Sequence, residues 1–233
     1  MASESVENYI KAIYKLEQAG GRVTNRAIAD RLSVSPPSVS RMVKRLSEND
    51  WVVHHPYRGV RLTDRGRRNA LRVIRNHRIL ETYFAEILGM SWDQVDAEVE
   101  RLEHVVSDEL INRMEEALRF PKHDPHGSPI PDREGNIAAT DSIPIVEVPE
   151  GAEARVARIA DASPEALAYL ESEGLVPGAR LTSVVRQPFE GPLHVCVERG
   201  DAEPASVYLG SELASRIRVH VDLSPSNDAA DGG

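Results

Sequence analysis

The sequence predicts a mainly α-helical chain with a small β domain at its C-terminal end, and three observations carry that reading. Apolar residues recur at helical spacing through most of the first 118 residues. A stretch from Phe120 to Ile143, rich in Pro, Gly, Asp and His, then interrupts the pattern. Beyond it the apolar residues come in short runs of strand length.

Val6, Ile10, Ile13 and Leu16 mark a first helix over about residues 4–19, closed by Gly20-Gly21. Thr24 or Asn25 caps a second, short helix through Ala27, Ile28 and Leu32. Ser33 to Pro37 breaks the chain, and a third helix runs from about Ser38 to Asn49. Its core side is Val39, Met42, Val43 and Leu46; its opposite side offers Ser38, Ser40, Arg41, Lys44 and Arg45. Trp51 to His55 and Val60 to Thr63, joined by a turn at Pro56-Tyr57-Arg58-Gly59, read as a two-stranded hairpin.

Helix, helix, turn, helix, hairpin is the order of a winged helix-turn-helix, whose third helix enters the major groove of double-stranded DNA. Pro37 suits a first helical turn, where its missing N–H costs nothing. Ser35, Ser38 and Ser40 can bond phosphates or bases, and Arg41 can reach guanine bidentately. Lys44 and Arg45 suit phosphates, and Arg58, at the wing tip, suits phosphate or the minor groove. Charge agrees. Residues 1–72 carry 14 Lys+Arg against 7 Asp+Glu, whereas the remainder carry 14 against 30, for a net charge of −9. A basic block on an acidic protein implies one surface facing a polyanion.

Thr63-Asp64 caps a long helix over about residues 64–88, which carries His77 and Glu81 at i,i+4 and ends at Gly89. A further helix is expected from about Ser91 to Leu118. On it Asp96, Glu100, Glu103 and His104 fall at i, i+4, i+7 and i+8, one stripe beside an apolar seam of Val95, Val99, Leu102 and Val106. Stacked carboxylates repel one another unless a cation sits among them. Carboxylate oxygens with an imidazole suit a divalent ion such as Mn²⁺ or Fe²⁺; the plain alternative is a solvated acidic face. In the following loop Asp124 and His126 are also metal-competent.

The β part is read from Ile145–Val148, Ala154–Ile159, Arg180–Val185 and His194–Val197, with a short helix at about 164–172 and a turn at Gly174 to Gly178. Its size is that of an SH3-like β-barrel. Residues 223–233 are mostly Ser, Pro, Asn, Asp, Ala and Gly, have no means of packing, and are expected to be a disordered tail. The one cysteine, Cys196, excludes an internal disulfide and a cysteine-cage zinc site, and is read as a buried structural thiol. No apolar run reaches the ~20 residues needed to span a bilayer. The N-terminus lacks an apolar signal core, so a cytoplasmic location without membrane contact is expected.

These segments together resemble the diphtheria-toxin-repressor and manganese-transport-regulator family of metal-dependent transcriptional regulators, three-domain type, over about residues 5–222. The resemblance rests on Asn8-Tyr9-Ile10 to Tyr14-Lys15-Leu16, Val34 to Ser40, Tyr57 to Thr63, His77-Arg78 to Glu81, Glu103 to Ser107, and Pro125-His126-Gly127 to Pro129-Ile130-Pro131. It implies a winged helix-turn-helix DNA-binding domain over 1–72, a helical dimerisation and metal-binding domain with its loop over 73–143, and the SH3-like domain over 144–222. It also implies a homodimer. A primary metal site would match Asn8, Glu100, Glu103 and His104. An ancillary site would match Glu81, Asp124, His126 and Asp161, with His77 and Asp96 as alternates. Iron-responsive members have Cys where this chain has Glu100, so oxygen here favours Mn²⁺ over Fe²⁺. Asn8 stands where relatives have Asp or Met. Lys11 stands where some two-domain members have a Glu that helps hold a paired cluster, and a cationic ammonium argues against that binuclear form.

The function implied is a metal-activated DNA-binding repressor of metal-uptake genes, acting on a double-stranded operator, and not an enzyme. One alternative is a winged-helix regulator of an organic ligand, with the acidic stripe merely structural. Such pockets are mostly apolar and aromatic, and only 5% of this chain is aromatic. A metalloenzyme would need a His-Glu-x-x-His arrangement or a nucleophile with a placed base, which the chain lacks.

Overall fold

The computed structural model describes residues 3–55, 58–160, 162–200 and 202–221. They form two compact units. One comprises Met1–Leu88, Ala97–Lys122 and Pro129–Ala138; the other comprises Gly89–Asp96, His123–Ser128 and Ala139–Gly233.

In the first unit α1 (Glu4–Gln18), α2 (Asn25–Leu32) and α3 (Pro36–Glu48) precede β1 (Val52–His55), β2 (Gly59–Leu62) and α4 (Asp64–Glu86). The apolar positions read from the sequence form its core: Ile10, Ile13, Ile28, Val39 and Leu46 are wholly buried. Thr24, rather than Asn25, caps α2, its side chain accepting from the Ala27 N–H. The third helix starts two residues before the expected Ser38, because Pro36 and Pro37 both fit the first turn, where no N–H is needed. The hairpin pairs Val52 with Leu62 and His55 with Gly59; Pro56 and Tyr57 of its turn lie outside the described residues. Gly59 has φ of +95°, and a Cβ there would come within 2.4 Å of the Val23 carbonyl oxygen. That position requires glycine on both counts. Thr63 caps α4 through the Gly66 N–H. A Cβ on Gly66 would lie 2.0 Å from the Trp51 carbonyl oxygen, so the helix start presses directly on the hairpin.

The single helix expected over 91–118 is two: α5 (Trp92–Leu102) and α6 (Asp108–Ala117). The N–H groups of Val105 and Val106 both reach the Leu102 carbonyl, at 3.0 Å each, which turns the chain instead of extending the helix. Ser107 then takes an extended conformation, and its side chain accepts from the Leu110 N–H. Ser107-Asp108-Glu109 was a helix-start signal hidden inside an apolar period that otherwise continued. The apolar seam is shortened accordingly. Val95 and Val99 are buried, but Leu102 is exposed and Val106 only half-buried.

The second unit contains β3 (Ile143–Pro144), a 3-10 turn (Ile145–Glu147), β4 (Ala154–Ile159), α7 (Pro164–Ser172), β5 (Arg180–Arg186), β6 (Leu193–Arg199), β7 (Ala202–Leu209), α8 (Ser211–Ala214) and β8 (Ile217–Val221). Its antiparallel sheet has the order β3-β8-β4-β5-β6-β7. Ile145, Leu170, Leu175, Leu181, Val195, Leu209 and Val219 fill the core, and Trp92 packs into it. Ile145 to Val148 is therefore a turn and not the expected strand: Ile145 is buried whole and its carbonyl accepts from the Val148 N–H. Strands β7 and β8 were not read from the sequence. Cys196 is half-buried, because it alternates with the inward Val195 and Val197. The tail at 223–233 lies outside the described residues. Among the described residues no helix is long and apolar enough to cross a membrane.

Candidate functional site

Within the first unit, α1, α4 and the turn between α5 and α6 converge on the Glu103 carboxylate, which is 1% exposed. Both of its oxygens accept from Lys11 Nζ, at 2.9 and 2.8 Å. Oε2 lies 2.6 Å from His77 Nδ1, and Oε1 lies 3.2 Å from His104 Nε2. Lys11 also donates to Glu100 Oε1 at 3.2 Å and lies 3.2 Å from His77 Nδ1. On its far side His77 Nε2 meets Glu81 Oε1 at 3.3 Å. His104 Nε2 lies 2.8 Å from Asn8 Oδ1, and its Nδ1 lies 2.7 Å from Glu7 Oε2. Glu7, itself buried, is paired with Arg72.

The helix break is what assembles this cluster. Glu103 and His104 stand in the turn after Leu102 and reach α1, where Glu7 and Lys11 are one turn apart with Asn8 beside them. The structure brings Asn8, Glu103 and His104 together, with Glu100 joined to them through Lys11, though not as one helical stripe. Asp96 belongs to the second unit. His77, which the resemblance offers as an ancillary alternate, is bonded to Glu103. Glu7 was not read from the sequence; its place one residue before Asn8 and one turn before Lys11 was the available signal.

The charges explain one another. Burial opposes the charge on Glu103, but hydrogen bonds from His104 and His77 and the Lys11 charge hold its carboxyl well below the usual range. Burial likewise opposes the charge on Lys11, and Glu103 and Glu100 more than restore it, leaving its pKa raised. For His77 burial is again outweighed, by the Glu81 charge and the Glu103 hydrogen bond, and its pKa rises to about 9. The hydrogen bond to Glu103, against burial and with help from Glu7, raises that of His104. Glu100 and Glu103, read as repelling one another, are therefore neutralised from within the protein.

Ligand atoms of His77, Glu100 and Glu103 lie within 4.8 Å of one another. Carboxylate and imidazole donors, an adjacent amide oxygen and no thiolate fit Mn²⁺ or Fe²⁺. Of the ancillary candidates, Glu81 is in the first unit and Asp124 and His126 are in the second. There Asp124 Oδ1 accepts from the backbone N–H groups of His126 and Ser128, at 2.9 Å each, and the His126 ring meets Trp92 edge-on. Asp161 lies outside the described residues.

On α3, Ser35, Pro37, Ser40, Arg41, Lys44 and Arg45 are exposed and Ser38 is half-buried; Arg58 is exposed at the hairpin end. Arg41 donates to Ser38 Oγ at 3.3 Å, and Asn25 to Ser40 Oγ at 3.1 Å. The face is polar, basic and lightly tethered.

Comparison with known proteins agrees with this geometry. Residues 1–60 match the iron-dependent repressor N-terminal DNA-binding domain, 63–132 the iron-dependent repressor metal-binding and dimerisation domain, and 143–221 the FeoA domain. The iron-dependent repressor IdeR of Mycobacterium leprae is 31% identical over 192 residues, 77% of this chain and 83% of that protein. The diphtheria toxin repressor of Corynebacterium efficiens is 33% identical over 199 residues, 79% of this chain and 84% of that one. A solved manganese-dependent transcriptional repressor in complex with manganese is 38% identical, with a TM-score of 0.85 over 93% of this chain and 99% of the other. With a winged helix-turn-helix unit, a carboxylate–imidazole cluster joining its first helix to the α5–α6 turn, and these relatives along its length, the chain belongs to the family of metal-dependent transcriptional repressors that includes IdeR and the diphtheria toxin repressor.

Proposed function

We propose that this protein is a homodimeric, cytoplasmic repressor of metal-uptake genes that responds to Mn²⁺ in preference to Fe²⁺ and catalyses no reaction. Residues 1–72 bind DNA, 73–143 dimerise and hold metal, and 144–222 form the SH3-like domain. The observation that carries the reading is the cluster around Glu103, in which side chains of α1 share partners with the α5–α6 turn. Asn8, Glu100, Glu103 and His104 would hold the ion, with His77 beside them. A bound divalent ion supplies concentrated positive charge to oxygen donors from separate elements.

Glu103 and His104 position α1, and α1 packs against α2 and the hairpin, which in turn hold α3 with its DNA-reading face. Ordering the cluster therefore orders that face and favours one arrangement of two half-site readers. By reciprocity, operator DNA tightens metal binding by the same factor. Ser35, Pro37, Ser38, Ser40 and Arg41 read base edges, and Lys44, Arg45 and Arg58 hold phosphates. The resemblance offers Glu81, Asp124, His126 and Asp161 as ligands of an ancillary site, with His77 and Asp96 as alternates.

The test is operator affinity against free Mn²⁺ for wild type and Glu100→Gln. The Glu100 side chain is half exposed, so the variant keeps its fold. Wild type should gain affinity with Mn²⁺ and the variant should need far more of it. Superimposable curves would remove the metal reading.

A further inference from the structure

The ammonium of Lys11 stands within 3.2 Å of ligand atoms from all three members of the His77–Glu100–Glu103 group. Its side chain is 9% exposed and chelates both oxygens of a carboxylate that is itself sealed from solvent. Each member of that group thus already turns at least one ligand atom to a positive charge carried by the chain. A divalent ion on the same oxygens would sit a few ångströms from the ammonium, in a buried place where solvent screens the two poorly.

We infer that Lys11 is a tethered competitor of the activating ion: its ammonium fills the His77–Glu100–Glu103 pocket, must withdraw as the ion is taken up, and so sets the free-metal concentration at which the protein responds. The inference rests on the metal reading proposed above and adds its threshold. A competitor fixed at the site acts at a high effective concentration. It keeps the metal-free cluster folded and electrically balanced, and it raises the amount of ion needed to displace it. Lys11 is unbranched, and its α1 neighbours Asn8 and Glu7 hold His104 independently of it, so it can leave without dismantling the rest of the cluster.

The experiment uses the full chain, MnCl2 alone, and two readouts. Calorimetric titration of wild type, Lys11→Met and Glu100→Gln should show half-saturation of Lys11→Met at least tenfold below wild type, and that of Glu100→Gln above it. Lysine acylation read by mass spectrometry should show Lys11 protected without metal and reactive at saturating Mn²⁺, with the exposed Lys44 and Lys122 as internal references. A Lys11→Met isotherm equal to wild type, with Lys11 protected at saturation, overturns the competitor role while leaving the metal site standing. Wild type and Glu100→Gln both indifferent to Mn²⁺ would remove the site itself, and the role of Lys11 with it.

Discussion

Replacing Glu103 by Gln keeps the side chain's shape and removes its charge. On the sequence alone this should relieve repulsion among Asp96, Glu100 and Glu103 and leave the metal-free protein no less stable. The structure reverses the sign. Glu103 is wholly buried and takes hydrogen bonds from Lys11 and His77, with His104 alongside. Its neutralisation leaves the buried Lys11 with only Glu100, whose side chain is 50% exposed. Breaking a buried ion pair from one side costs about 3–5 kcal/mol, and a half-exposed partner returns about 1 kcal/mol or less. A loss of about 3 kcal/mol, at roughly 3–4 °C per kcal/mol for a unit of this size, lowers Tm by about 10 °C. The assay is thermal unfolding by circular dichroism in chelator, for wild type, Glu103→Gln and Lys11→Met/Glu103→Gln. The double variant should regain more than half of the loss, because the stranded ammonium is gone. A Tm for Glu103→Gln at or above wild type would show that repulsion dominates and that Lys11 does not neutralise the cluster.

Three further outcomes follow from the same geometry. Arg41→Ala should cost about 1–3 kcal/mol of operator affinity and relax sequence preference, whereas Lys44→Ala should weaken all sequences alike and reduce the salt slope by about 1; competition assays at several salt concentrations separate them. Glu7→Gln should lower Mn²⁺ affinity about 10–100-fold by freeing the His104 ring, and calorimetry on the folded variant measures it. His77, faced by Lys11, Glu81 and Glu103, has its pKa raised from 6.5 to about 9. Its contribution to the metal-free protein is therefore complete below pH 6.5 and lost as pH rises through 9. Tm in chelator should fall across that window, and a His77→Gln variant should flatten the fall.

The sequence by itself determined the architecture from α1 to α4. Helical periods at Val6 to Leu16 and Val39 to Leu46, a Thr24 cap and a hairpin after α3 are local signals, and each survives in the fold because packing reinforces it. Donor chemistry was equally legible, since Glu100, Glu103 and His104 announce their ligand preference by residue type alone. Other features were decided only in three dimensions. The break at Glu103–Ser107 is a competition between a continuing apolar period and a serine cap, and the bonds around Leu102 and Leu110 settled it. Strands β7 and β8 are set by pairing with distant segments, which no local period encodes. Above all, the sign of the charge balance was invisible in sequence: Lys11 lies 92 residues from Glu103 and Glu7 lies 97 from His104. Electrostatic energy depends on separation in space and on burial, so only the packing of α1 against the α5–α6 turn turns a self-repelling acidic run into a neutralised, cation-holding cluster.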